Sequence, residues 1–505
     1  GFLPNEDYSF MPTRQSIINQ VTAAGKDLIS ARETWLDYSV KAIIDRLTAY
    51  GIRNDTLIIF TSDHGEKTLS NPLVWGKTSL YDLGLKVPMV MNWPNGITNP
   101  GRAYNELISH VDIGTTLLAL TGASNLPTRP VDGVSLVSVF NGSSAAVRDD
   151  VFGEIGYARG VRTKTRKYIA VRYTPSIYTQ IANGTGFPES NLNSQLTGGT
   201  VPRPYYLNNS GLGAGVATTN PTYFDDDQLY NLSTDPNENT NIYGQEPATA
   251  YDLKKRLASY IGGIPNRPFR QFSDSSSEFS PTPATAPTAP GSGTVGMTFN
   301  SLNQVQLSWT DAANSELGYV IRKTVNGGTP VIVGEYPPGT TTASVNLDSG
   351  VEDILLQVAS YNAVNDTPVS KDMLSPEPWR DRTFYGVSKP SWSSDADGDG
   401  VTMLMEYAAG TDPLSASSVA KPAMRMTTDT GNRFLEYVLP RNSRRGAQFR
   451  GSVSTDLSTW QSGSPHCTIV ETGTSQMIFR SATPVSGAAR QFIRAEMIDP
   501  PTDQP

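Results

Sequence analysis

Apolar positions recur at helical spacing across residues 33–52, where Trp35, Val40, Ile43, Ile44 and Leu47 share a face and Gly51 offers a C-cap, so the pattern predicts a helix. A short turn then leads into the β-branched run TLIIFTS, which reads as a buried strand of a parallel sheet, and KVPMVMNW (86–93) reads as a second strand. HVDIGTTLLALTG (110–122) predicts a helix closed by Gly122. Strands are expected at DVFGEI, VRTKTRKYIAVRY and FDDDQLYNL, and a helix from Ala248 to Ile261. Alternation of helix and strand over this length predicts an α/β region, placed at 1–265.

The pattern then breaks. Residues 273–294, SDSSSEFSPTPATAPTAPGSGT, cannot build a core and predict an extended linker, bounded at 266–293. Beyond it, QVQLSWT, LGYVIRKTV, TPVIVGEY, ASVNLD and DILLQVASYNAV alternate polar and apolar positions at short intervals, as a β-sandwich does, over 294–373. Trp309, Tyr319 and the VASYN segment resemble the core positions of a fibronectin type III module, with Ile354 where that family usually has its corner tyrosine. A loop and helix at 391–414 and a terminal β domain at 420–500 complete the expected organisation.

Composition narrows the function classes. Forty basic against 48 acidic residues give a net charge of −8. With no lysine or arginine block, this argues against nucleic acid or an anionic membrane as partner. A single cysteine, Cys467, excludes an intrachain disulfide and a cysteine-based zinc site. No run of about 18 apolar residues predicts a membrane span.

The chemistry concentrates where TLIIFTS runs into Ser62-Asp63-His64-Gly65. Adjacent side chains on a regular strand point to opposite faces, so Asp63 and His64 can share one ion only if the strand has just ended, a bend that Gly65 permits. A carboxylate with an imidazole suits a divalent cation, but two ligands are too few and the others must come from elsewhere.

TSDHGE, WGKTSLYDLGLKVPMVMNWP, HVDIGTTLLALTG, VDGVSLVSVFNG, RKYIAV and QLYNLSTDPNENTN, in that order, resemble the C-terminal half of the sulfatase family, within the alkaline-phosphatase-like superfamily, over about residues 30–262. The resemblance implies that Asp63 and His64 bind one Ca²⁺ or Mg²⁺, and that Lys77, in a K-x-x-x-[YF]-[ED] segment, contacts the sulfate ester of a small molecule or polysaccharide. His110, Asp112, Arg162, Tyr168 and Asp235-Pro236 read as structural landmarks. Sulfatases also use a formylglycine made within C/S-x-P-x-R. Phe10-Met11-Pro12-Thr13-Arg14 carries the Pro and Arg of that motif, but phenylalanine cannot yield the aldehyde. The expectation is therefore the C-terminal part of a longer enzyme, inactive without the half that carries the formylglycine. A phosphoester or phosphonoester hydrolase of the same superfamily and a non-catalytic calcium-binding surface protein are the alternatives.

A second motif stands alone. DADGDGVTMLME places Asp395, Asp397, Asp399, Gly400 and Glu406 at the spacing of a twelve-residue calcium loop, with the Val401 carbonyl as a further oxygen. No amphipathic helix is evident ahead of it, so a paired sensor is not expected. A stabilising calcium site and a sandwich module together favour a secreted or periplasmic location.

Overall fold

The computed structural model describes residues 7–65, 79–123, 131–155, 158–173, 222, 225–263, 279, 295–313, 316–348, 353–372, 375–485 and 490–499. The chain forms two compact units, Gly1–Ile242 and Tyr243–Pro505.

In the first unit, α1 (Arg14–Ala23) is capped by Thr13, whose side chain accepts the Ser16 N–H, so the FMPTR stretch serves as a helix start. Ile17 and Val21 of α1 pack on Ala31 of α2 (Ile29–Ala49). The predicted apolar face of α2 is less covered than its pattern suggests, since Ile43 is 59% exposed. After α2 come β1 (Ile58–Thr61), α3 (Asp82–Leu85), β2 (Met89–Asn92), α4 (Val111–Thr121) and α5 (Val137–Phe140). Gly122 closes α4 in the left-handed conformation, as its position predicts.

Two expectations about the TLIIF strand need correction. β1 pairs with β2 antiparallel, in register Ile58 to Asn92, and no parallel neighbour exists among the described residues. The strand is also half-buried rather than buried. β1 and β2 form a two-stranded sheet whose apolar side chains Leu57 and Met91 rest on the Leu136–Val139–Phe140 cluster, while Phe60 and Val90 stay exposed. A continuous apolar run reports a need for cover on both faces, and two strands with one small cluster supply it on one.

The unit's other sheet is an antiparallel meander of β3 (Asp150–Ile155), β4 (Ala158–Thr163), β5 (Arg166–Val171) and β6 (Asp227–Asn231). VRTKTRKYIAVRY forms the two arms of a hairpin, turning between Thr163 and Arg166.

The second unit begins with α6 (Pro247–Gly263), which packs on β10 (Val331–Tyr336) of a sandwich. One sheet of that sandwich runs β10, β9 (Gly318–Val325), β12 (Ile354–Tyr361), β13 (Asp366–Asp372). The other runs β11 (Thr342–Asn346), β8 (Gln304–Ser308), β7 (Gly296–Ser301). Trp309, Tyr319, Ile321, Ile354 and Val358 fill the space between. A buried polar group ties helix to sandwich: Glu335 accepts from Tyr361 (2.5 Å) and Tyr243 and pairs with Lys254 (3.5 Å).

Contrary to expectation, a helix does precede the acidic loop. α7 (Pro376–Thr383) brings Trp379 edge-on to Tyr407 of α8 (Met403–Ala409) and parallel to Trp392. Both helices share a core with Leu439, Phe449, Met477, Phe479 and Ile493 of the last strands. These strands are β14 (Ala423–Asp429), β15 (Asn432–Pro440), β16 (Phe449–Ser454), β17 (Gln461–Ser462), β18 (Cys467–Thr472), β19 (Gln476–Ser481) and β20 (Phe492–Met497), in sheets ordered β14-β15-β19-β18 and β17-β16-β20.

Candidate functional site

β1 ends at Thr61, so Ser62 to Gly65 lie beyond the pleat and escape its alternation. As a result Asp63 Oδ2 and His64 Nε2 stand 3.5 Å apart and can serve one ion. Asp63 accepts the His64 N–H at 3.0 Å, and this bond is the main reason its carboxyl sits below the usual carboxylate range. The imidazole Nδ1 faces the Gly65 carbonyl at 3.1 Å, which fixes the ring and leaves Nε2 outward.

The turn borders an open cleft of about 800 Å³ lined by Ser62, Asp63, His64, Asp82, Lys86, Arg162 and Lys164, with Pro236 among the remaining walls. Arg162 grips Asp82 through two hydrogen bonds of 2.8 and 2.9 Å, and Lys164 pairs with Glu106 at 2.7 Å. Lys86 is exposed. Sequence reasoning missed Lys86 and Lys164 and gave Arg162 a structural part. Only the cluster of basic positions in RTKTRK hinted at a cationic wall. Lys77 lies outside the described residues.

The remaining landmarks are structural. Asp112 is fully buried, accepts the Ser109 and Val134 N–H groups and binds Arg148. Tyr168 donates to Asp227 at 2.5 Å within the meander. His110 heads α4 and its Nε2 lies 3.1 Å from the Thr61 hydroxyl, at the end of β1.

The acidic loop of the second unit tests its own motif. Carboxylate oxygens of Asp395, Asp397 and Asp399 lie within 4.8 Å of one another. Gly398 and Gly400 adopt left-handed backbone, which lets Asp395 receive the N–H groups of Gly398, Asp399 and Gly400 and turns the chain sharply. Val401 is buried where the loop closes, its N–H on Asp399. Asp397 Oδ2, Asp399 Oδ2 and Glu406 Oε2 are buried with no hydrogen-bond donor. Unmatched buried carboxylate oxygens are costly, and a cation would satisfy all three. Glu406 stands outside the 4.8 Å group, but burial, then Asp397 and Asp399, push its pKa from 4.5 to about 7. The residues therefore fit a metal cation.

Residues 31–123 match the sulfatase family. The chain is 30% identical to human arylsulfatase A over 220 residues, covering 41% of this chain and 38% of that protein. It is 30% identical to an ulvan-active sulfatase of Formosa agariphila over 224 residues, 42% of this chain and 37% of the other. With human N-acetylglucosamine-6-sulfatase it shares 31% over 216 residues, 41% and 35% of the two chains. The chain thus spans under two-fifths of the length of these relatives. The Asp63–His64 turn, the α3 wall of the cleft and α4 all lie within the residues that match the sulfatase family.

Proposed function

We propose that the first unit supplies the cation-binding and sulfate-contacting part of a sulfuric ester hydrolase. The observation that carries this reading is the convergence of Asp63 and His64 donors to 3.5 Å, within the residues that match the sulfatase family, on a cleft whose other walls hold Lys86, Arg162 and Lys164. Asp63 and His64 give two donors to a Ca²⁺ or Mg²⁺, and when bound that ion polarises sulfuryl oxygens and neutralises their charge. Lys77 adds a positive charge near the breaking S–O bond, where it counts most in the transition state. Lys86 raises the local concentration of an anionic ester. The substrate is a sulfated small molecule or polysaccharide. The names of the ulvan-active and N-acetylglucosamine-6-sulfatase relatives support the carbohydrate side of that choice.

The nucleophile is not in this chain, because none of its 505 residues forms C/S-x-P-x-R. The alcohol-releasing step needs a formylglycine from sequence outside it. The test is hydrolysis of p-nitrophenyl sulfate by this chain alone and by the chain joined to a sulfatase segment bearing formylglycine. Turnover is expected only from the joined protein, and turnover by the chain alone would overturn the assignment.

In the second unit, Asp395, Asp397, Asp399, Val401 and Glu406 bind a structural calcium ion. The four-plus-three strand order and the Trp309–Tyr319 core support a fibronectin type III-like sandwich beside it. A single loop of this type suits the calcium concentrations outside cells, and hence a secreted or periplasmic protein.

A further inference from the structure

Four charged side chains meet beneath the cleft wall. Lys167 of β5 is 1% exposed, and its Nζ reaches Asp82 Oδ1 (2.6 Å), Glu238 Oε1 (2.7 Å) and the Leu80 carbonyl (2.9 Å). Arg162 holds both oxygens of Asp82, and the Asp82 N–H donates to Glu238 Oε2 at 2.5 Å. Glu238 adopts a left-handed backbone while almost wholly buried, a conformation costly for a residue with a Cβ. Burial acts on both acids. Arg162 and Lys167 override it at Asp82 and hold that carboxyl well below the usual range, whereas Glu238 remains raised.

Such a network is a poor source of stability, since buried pairs spend much of their attraction on desolvation. Its location gives it a different role. Asp82 opens α3, and the Gly84 carbonyl of that helix accepts the Gly65 N–H at 2.8 Å. Gly65 directly follows the Asp63–His64 pair, and a Cβ on it would run into the Leu83 carbonyl. The charged group therefore fixes α3, and α3 fixes the turn that presents both donors.

We propose that Lys167, clamped by Asp82 and Glu238, is a positioning residue that sets the Asp63–His64 pair through α3 and Gly65. The inference rests on the reading that this pair binds a divalent cation. The chain has three histidines, so their imidazole resonances can be followed in the full chain as Mn²⁺ is added. Asp397→Ala with Glu406→Ala serves as background to silence the other acidic cluster. In that background Mn²⁺ should broaden His64 well before His466. Lys167→Met, and the charge-balanced Lys167→Met with Glu238→Gln, should each require at least tenfold more Mn²⁺ to broaden His64, with the His466 resonance unmoved. Broadening of His64 at the parent's Mn²⁺ level in the balanced variant overturns the positioning role alone. Displacement of all three histidines together overturns it in favour of a general structural one. A parent chain whose His64 never broadens overturns the cation reading and this inference with it.

Discussion

The two carboxylate sites of this chain differ in where their donors come from. At 395–406 three aspartates and a glutamate arrive within twelve residues, glycines bend the backbone between them, and three buried oxygens lack a donor. At Asp63–His64 two donors sit 3.5 Å apart with the aspartate side chain 83% exposed, and Arg162 and Lys164 near them are paired with Asp82 and Glu106. On the reading proposed above, the first is a local site whose donors are neighbours in the chain, and the second is one edge of a wider site. That reading has a folded chain hold one cation firmly and the other only weakly.

The sharpest challenge to that contrast is calcium calorimetry on the full chain. One strong site is expected, lost entirely in Asp397→Ala with Glu406→Ala and untouched by Asp63→Ala. If Asp63→Ala removed a strong site, the Asp63–His64 turn would be complete by itself. Next in size, in the protein joined to a formylglycine-bearing segment, Lys77→Ala should lower kcat on the order of 10²-fold while metal content stays, as measured with p-nitrophenyl sulfate. Asp63→Ala in the same protein should lower metal content and activity together.

Thermal melting gives a smaller and more graded comparison. Calcium at about 100 times its Kd should stabilise the second unit by about 2.7 kcal/mol, an effect the double variant should lose.

The smallest effect is one of sign. Without calcium, Glu406 is an acid with a raised pKa, so its contribution to stability is present below 4.5 and lost as pH rises through about 7. Asp82 is lowered, so its contribution is present above the ordinary aspartate value and lost as pH falls. Melting in EDTA from pH 5 to 8 should therefore weaken the second unit, and Glu406→Gln should flatten that trend. An equal slope in the variant would remove Glu406 as its cause.

What could be read in the sequence follows the same division. The clustering of Asp395, Asp397 and Asp399 was legible because these carboxylates are neighbours in the chain. The sandwich was legible except at its margins. β7 begins within a Gly/Ser-rich stretch, and β13 carries Pro368 and several charges, a composition tolerated at a sheet edge. α7 was hidden by two prolines in PEPWRDRT, although the first occupies the start of the helix, where its missing N–H costs nothing. In the first unit the Asp63–His64 turn was legible, but Lys167 and Glu238 were not. A lone charged residue in a strand or turn usually faces water, and only the fold reveals that these two face each other.

The uncovered apolar side chains of the first unit bear on how the protein behaves in a test tube. Ile43 on α2, Phe60 and Val90 on the two-stranded sheet, and Leu117 on α4 all face solvent. β1 and β2 have one hydrogen-bonded neighbour each among the described residues, which leave backbone donors and acceptors along their outer margins unmatched. Apolar faces beside open strand edges are sticky, and the net charge of −8 over 505 residues offers modest repulsion. Preparations of this chain should accordingly drift toward soluble aggregates as concentration rises, sooner at high salt, where that repulsion is screened.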